Sequence, residues 1–267
     1  MMQSVRWGWG AVFVVLAALL AGCASSPSPP DGENGWGPTT GESEDRRRAR
    51  VRVELAAGYF EQGQSAVALD EVRLALQADP NFAPAYNLRG LILMQTSQMQ
   101  AAEESFQQAL RIAPRDGDTW HNLGWLYCQA ARYADASRAF ASALQSPSYV
   151  AAARTWMVQG ICQARAGQKL EAEESLTRSF QLDASNAITM YNLALLIHQR
   201  GDSERARFYL RRLNNSDLAN AESLWLGVKI EQRLQNREAA EQLGRQLVRR
   251  FPESREANAF ERGAFNE

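Results

Sequence analysis

The chain is sparing with the residues that most chemistry depends on. It has three cysteines and two histidines among 267 residues. Three cysteines exclude a disulfide-dense mini-protein, and two histidines leave little for a metal centre, which needs several ligands to converge. Glycine at 18 and proline at 9 are too few for an all-β chain built on many turns. Neither charge is in surplus, with 29 Lys and Arg against 30 Asp and Glu, and a net charge of −1 excludes a broad nucleic-acid surface. No zinc-protease helix motif, phosphate-binding loop, dinucleotide glycine fingerprint or Gly-x-Ser-x-Gly elbow is present. Glu103-Glu104 and Glu173-Glu174 recur at equivalent places, which reads as a solvated outer face rather than an acid/base pair. The sequence therefore predicts no enzyme, no metal and no cofactor. What it does have, 45% hydrophobic and 22% charged residues, is the balance of a globular chain able to bury a core.

That average hides three segments. Residues 1–22 place one cation, Arg6, before an apolar run from Ala11 to Leu20 and end Leu20-Ala21-Gly22. A short positive start, a short apolar run and a small-residue cut site describe a bacterial export signal rather than a spanning helix. With Cys23 directly after it, the Leu-Ala-Gly-Cys ending resembles the lipobox of bacterial lipoproteins, which implies acylation of Cys23. Acyl chains bury CH₂ groups at about 0.8 kcal/mol each, so a multiply acylated cysteine anchors firmly. Ala24, where an Asp would favour retention at the inner membrane, implies the periplasmic face of the outer membrane. Residues 23–47 read as a lipidated flexible tether, because Ser, Pro, Gly and acids dominate its first two dozen residues and cannot bury enough apolar surface to fold. Arg46-Arg47-Arg48 and Arg50 read as the solvated start of a helix.

Residues 48–267 carry a 34-residue period. Ala68, Ala102 and Ala136 keep it, as do Ala75, Ala109 and Ala143, then Val72, Phe106 and Phe140, and Gly90 with Gly124. Pro80 and Pro114 fit the same step, and Pro147 falls one residue early. Small residues let helices approach, aromatics fill the gap between them, and proline stops the second helix. The Trp120-to-Trp156 step is 36, which places an insertion near Ser148-Tyr149. A fixed period of this length signals stacked supersecondary units. It resembles the tetratricopeptide repeat (TPR), and implies an all-α superhelical solenoid of about six helix-turn-helix repeats plus a C-terminal cap.

In such arrays the first helices line the inner, concave surface. Here that gives a candidate protein-binding groove of Asn87, His121, Asn122, Trp125, Tyr191, Asn192 and His198, apolar surface combined with side chains that both donate and accept hydrogen bonds. Leu88 and Leu91 either join it or pack between repeats. Cys128 and Cys162 fall in the first helices of the third and fourth repeats. The repeat-equivalent of Cys128 is Ala164, so Cys162 is offset by two residues, about 200° around a helix. One thiol then faces forward along the stack and the other back, which predicts a Cys128–Cys162 disulfide in an oxidising compartment.

A lipobox followed by six such repeats resembles the type IV pilus biogenesis/stability lipoprotein family, PilW, called PilF in some bacteria. Carrying the likeness are Asn122-Leu123-Gly124 with Leu126-Tyr127 and an atypical last repeat: Ser223-Leu224-Trp225-Leu226-Gly227, Gly244-Arg245-Gln246-Leu247 and Phe251-Pro252-Glu253-Ser254. The resemblance implies a pilotin-like factor that binds the pilus secretin and promotes its assembly. An adaptor for cell-wall hydrolases or for outer-membrane protein assembly fits the same architecture.

Overall fold

A computed structural model describes residues 43–265; the expected export signal and Cys23 lie outside them. Among the described residues there are thirteen α-helices and no strand. They form six antiparallel pairs: α1 (Glu44–Glu61) with α2 (Ser65–Ala78), α3 (Ala83–Gln95) with α4 (Met99–Ile112), α5 (Gly117–Gln129) with α6 (Tyr133–Leu144), α7 (Ala152–Arg165) with α8 (Lys169–Leu182), α9 (Ala187–Gln199) with α10 (Ser203–Asn214), and α11 (Ala221–Arg233) with α12 (Arg237–Arg250). A short helix, α13 (Arg255–Glu261), follows. No described helix is long and apolar enough to cross a membrane.

The period is the packing rule made visible. Each first helix has a small residue, Ala56, Gly90, Gly124, Gly160, Ala194 or Gly227, and the residue sixteen places later on the second helix is Val72, Phe106, Phe140, Leu176, Leu210 or Leu243. In the second and third repeats the pair is Gly with Phe. A Cβ added at Gly90 would stand 2.5 Å from the Phe106 ring, and one at Gly124 2.7 Å from Phe140. Both rings are fully buried. The alanine that opens each second helix (Ala68, Ala102, Ala136, Ala172, Ala206, Ala240) is buried in every repeat.

The first helix begins at Glu44, ahead of the expected boundary at 48, with Ser43 capping it by accepting from the Arg46 N–H at 3.2 Å. Arg46, placed inside the tether boundary but read as the solvated start of a helix, does lie in the first turn of α1, and it is more than solvated: it donates to Asp79 at 2.9 Å and to the Asn81 carbonyl at 3.3 Å, tying α1 to the end of α2. The insertion before α7 has a packing role. Tyr149 folds back over Gly117 at the start of α5, where a Cβ would meet the Tyr149 ring at 2.6 Å. At the other end Phe260 of α13 presses on Gly244, and Phe265 stacks on Trp225 with ring centroids 5.6 Å apart. The glycine and tryptophan that set the last repeat apart in the sequence are the seats for the cap. Among the described residues four apolar clusters run along the stack, two of them joined by Leu69.

Candidate protein-binding surface

The first helices of successive repeats touch one another, and the seven expected groove residues all lie on them, but they differ in what they could offer a partner. Asn87, Trp125, Tyr191, Asn192 and His198 are half-buried; His121 and Asn122 are buried. Asn122 Nδ2 donates to Asn87 Oδ1 at 3.0 Å, joining α5 to α3. Asn192 Nδ2 donates to the Ile188 carbonyl of its own helix at 2.8 Å. Trp125 is covered on one face by the Arg165 guanidinium, 5.4 Å from the ring centroid. Leu88 is buried and Leu91 half-buried, which puts Leu88 between repeats.

His121 is the clearest departure from the expected groove. Arg154 Nε donates to its Nε2 at 3.1 Å, so the ring proton sits on Nδ1, 2.7 Å from Thr155 Oγ1, and Tyr149 bonds the same hydroxyl. The ring lies 6.0 Å from Phe140. Burial first, and then the Arg154 charge, lower the His121 pKa from 6.5 to about 4. The imidazole is a neutral joint between α5 and α7, not a contact for a partner. Its depressed folded pKa means that its share of stability is complete above pH 6.5 and is lost as pH falls toward 4, where the unfolded chain takes up the proton first. Urea unfolding is expected to lose about 2 kcal/mol between pH 7 and pH 5 on this account, before most carboxylates titrate. His121→Phe should flatten that segment of the pH profile; an unchanged slope would refute the assignment.

His198 is shifted in the same direction, by burial and then by the Arg233 and Lys229 charges, and its Nδ1 lies 2.9 Å from Ser203 Oγ. Cys128 on α5 and Cys162 on α7 are joined in the structure, Cα atoms 5.8 Å apart. The first glutamate of each Glu-Glu pair is also more than solvated surface. Glu103 accepts from Tyr127 Oη at 3.0 Å and Arg132 Nη1 at 2.8 Å; Glu173 is bound by Arg205 Nη2 at 3.0 Å and by Arg200. Each ties a second helix to the following repeat.

Two functional-site candidates escaped the sequence reading, Asn214 and Glu231. Asn214 stands eight residues after Ala206, and the equivalent residues are Leu76, Leu110, Leu144, Phe180 and Val248. A buried amide in a position that is apolar in the other five repeats was the available signal. Glu231, 2% exposed, stands where the other repeats have Phe60, Met94, Cys128, Ala164 and His198. Among the described residues, no three His, Cys, Asp or Glu side chains are grouped as a metal site.

Tetratricopeptide repeat models match residues 81–147 and 121–186. The type IV pilus assembly protein PilF of Pseudomonas aeruginosa is 25% identical over 251 residues, 94% of this chain and 97% of the relative. The crystal structure of PilW, a type IV pilus biogenesis factor, superposes with a TM-score of 0.72 at 29% identity, covering 79% of this chain and 97% of that one. The structure of Pseudomonas aeruginosa PilF superposes with a TM-score of 0.74 at 24% identity, covering 83% and 100%, and so shares the fold.

Proposed function

We propose, from this chain's homology to the type IV pilus proteins PilF and PilW, that it is a tetratricopeptide scaffold of the pilus machinery that binds a secretin subunit and promotes secretin assembly. The observation that carries this reading is the extent of the match, 94% of this chain and 97% of PilF, which takes in the atypical sixth repeat as well as the generic ones. Acylation of Cys23 would hold the array at the periplasmic face of the outer membrane. A tethered scaffold raises the local concentration of its partner and shields an aggregation-prone surface during assembly. Such work needs no covalent chemistry, only a surface that donates and accepts hydrogen bonds beside apolar area. Asn87, Trp125, Tyr191, Asn192 and His198 supply that surface, with His121 and Asn122 holding its helices in register.

The test is genetic and biochemical together. Deleting the gene should abolish twitching and deplete secretin multimers, Cys23→Ser should release the protein from the outer membrane, and secretin should co-purify from detergent-solubilised envelope. Normal multimers and normal pili in the deletion strain would overturn the proposal. So would co-purification of a cell-wall hydrolase or an outer-membrane protein assembly factor in place of secretin.

A further inference from the structure

Val51 on α1 is 54% exposed, whereas the residues that take its place in the next four repeats, Ala85, Thr119, Thr155 and Thr189, are fully buried. The contrast continues along one row of the helix, at i, i+4 and i+7. Leu55 is 42% exposed. Gly58 stands where Ile92, Leu126, Cys162 and Leu196 are buried, and among the described residues nothing would meet a Cβ added to it within 4 Å.

What buries the equivalent residues is the preceding repeat. Thr155 Oγ1 lies 2.7 Å from His121 Nδ1 of α5, and Thr189 Oγ1 lies 2.9 Å from Ser179 Oγ of α8. Cys162 is bonded to Cys128 of α5. On the second helices, Arg205 reaches back to Glu173 of α8 at 3.0 Å, and its place in the first repeat is taken by Val67, 40% exposed. Val51, Leu55, Gly58 and Val67 thus form the face that a preceding repeat would cover, and α1 is the first described helix. This face looks along the stack, not into the groove. Terminal repeats need a polar outer face to stay soluble, yet this one carries three exposed aliphatic side chains. At the opposite end α13 and Phe265 supply a cap.

The chain ahead of α1 holds one side chain suited to the same task. Residues 24–42 contain a single large apolar side chain, Trp36. Seven residues separate it from Ser43, the N-cap of α1, and span up to about 25 Å when extended. Leu55 lies about 18 Å along the helix from Ser43, at 1.5 Å per residue. The connecting stretch is therefore long enough to double back beside α1, and Gly37-Pro38 and Gly41 are residues that favour turns. So short a link holds the indole near the face at an effective concentration of about millimolar, ahead of any partner that must arrive by diffusion. An indole is broad and flat, and the missing side chain at Gly58 leaves room for it beside Leu55.

We propose that Trp36 turns back onto α1 and closes this end face, seated against Val51 and Leu55 and over Gly58. The segment read as a tether is then also the cap of the first repeat. Docking shortens the stretch between Cys23 and the array from 20 residues to 13, and any partner that seeks this face must first displace the indole. The inference concerns the end of the stack and holds whichever pilus component the groove engages.

The test uses the full chain in detergent micelles, methyl-labelled at valine and leucine, with its own Trp36 as the probe and no secretin present. The Trp36 indole should show nuclear Overhauser contacts to the Val51 and Leu55 methyls. Trp36→Ala should shift those methyls while Leu193 and Val228 stay in place, and amides of α1 should exchange at least threefold faster. Leu55→Lys, at an exposed site where folding should be undisturbed, should remove the indole contacts in the same way. Contacts that fade on tenfold dilution would place a second copy on the face, and contacts to detergent chains in place of the indole would leave it open to lipid. Either result would overturn the proposal, as would methyl signals and α1 exchange unchanged by Trp36→Ala.

Discussion

Phe140→Ala is expected to destabilise the protein by about 3–5 kcal/mol, the usual cost of emptying a buried aromatic site. The ring is 0% exposed and lies against the bare Cα of Gly124. In a solenoid each repeat contacts only its neighbours, so a void in the third repeat weakens the joints on both sides. The more discriminating measurement is a double-mutant cycle. Gly124→Ala alone puts a Cβ 2.7 Å from Phe140 Cδ1 and Cε1, and a fully buried ring has little room to yield, so overpacking should cost about 1–3 kcal/mol. Phe140→Leu alone leaves a cavity. The two together recreate the Ala194 and Leu210 pair of the fifth repeat, which packs with both residues buried. The double variant should therefore be more stable than the sum of the singles by at least about 1 kcal/mol. Strict additivity in urea titrations would show that the period does not encode size complementarity.

This pairing explains why the array was legible in the sequence. Small and large residues recur at fixed distances because every repeat solves the same packing problem with the same two positions. The exceptions arise from partners that local patterns do not reveal. Arg46 reads as a solvated helix start until Asp79 and Asn81 appear across the helix pair, 33 and 35 residues on. His121 and Asn122 read as groove residues because they lie on a first helix and carry side chains that both donate and accept hydrogen bonds. Their partners Thr155 and Asn87 lie about one repeat away, 34 and 35 residues, and satisfy them inside. The period that revealed the fold also held this information, since residues one repeat apart on neighbouring first helices are neighbours in space. Asn214 differs in kind. Comparing the six repeats position by position marks it as unusual, but only the geometry shows that one of its two amide atoms is left unpartnered.

Cys128→Ala with Cys162→Ala is expected to lower stability by about 3–4 kcal/mol, the chain-entropy value for a bridge spanning 34 residues. The Cα separation of 5.8 Å falls in the ordinary range for a disulfide, so the helices need not move to accommodate it. Its place in the array matters as much as its size. The step from Gly124 to Gly160 is 36 rather than 34, so the bridge crosses the one seam where the register slips forward by two residues. Tyr149, contributed by that insertion, and the bridge on the first helices fasten the same joint from opposite ends of α7. Both sulfurs belong to residues at most 3% exposed, so a reductant should reach them only when the third and fourth repeats part. Reduction of the native protein should then track seam opening and speed up in low urea, below the main unfolding transition. Alkylation after unfolding without reductant should leave Cys128 and Cys162 unmodified, whereas prior reduction adds two labels. Labelling of both in the unreduced chain, or a double variant within about 1 kcal/mol of the parent, would show that the seam is held by packing and by the His121–Thr155–Tyr149 hydrogen bonds alone.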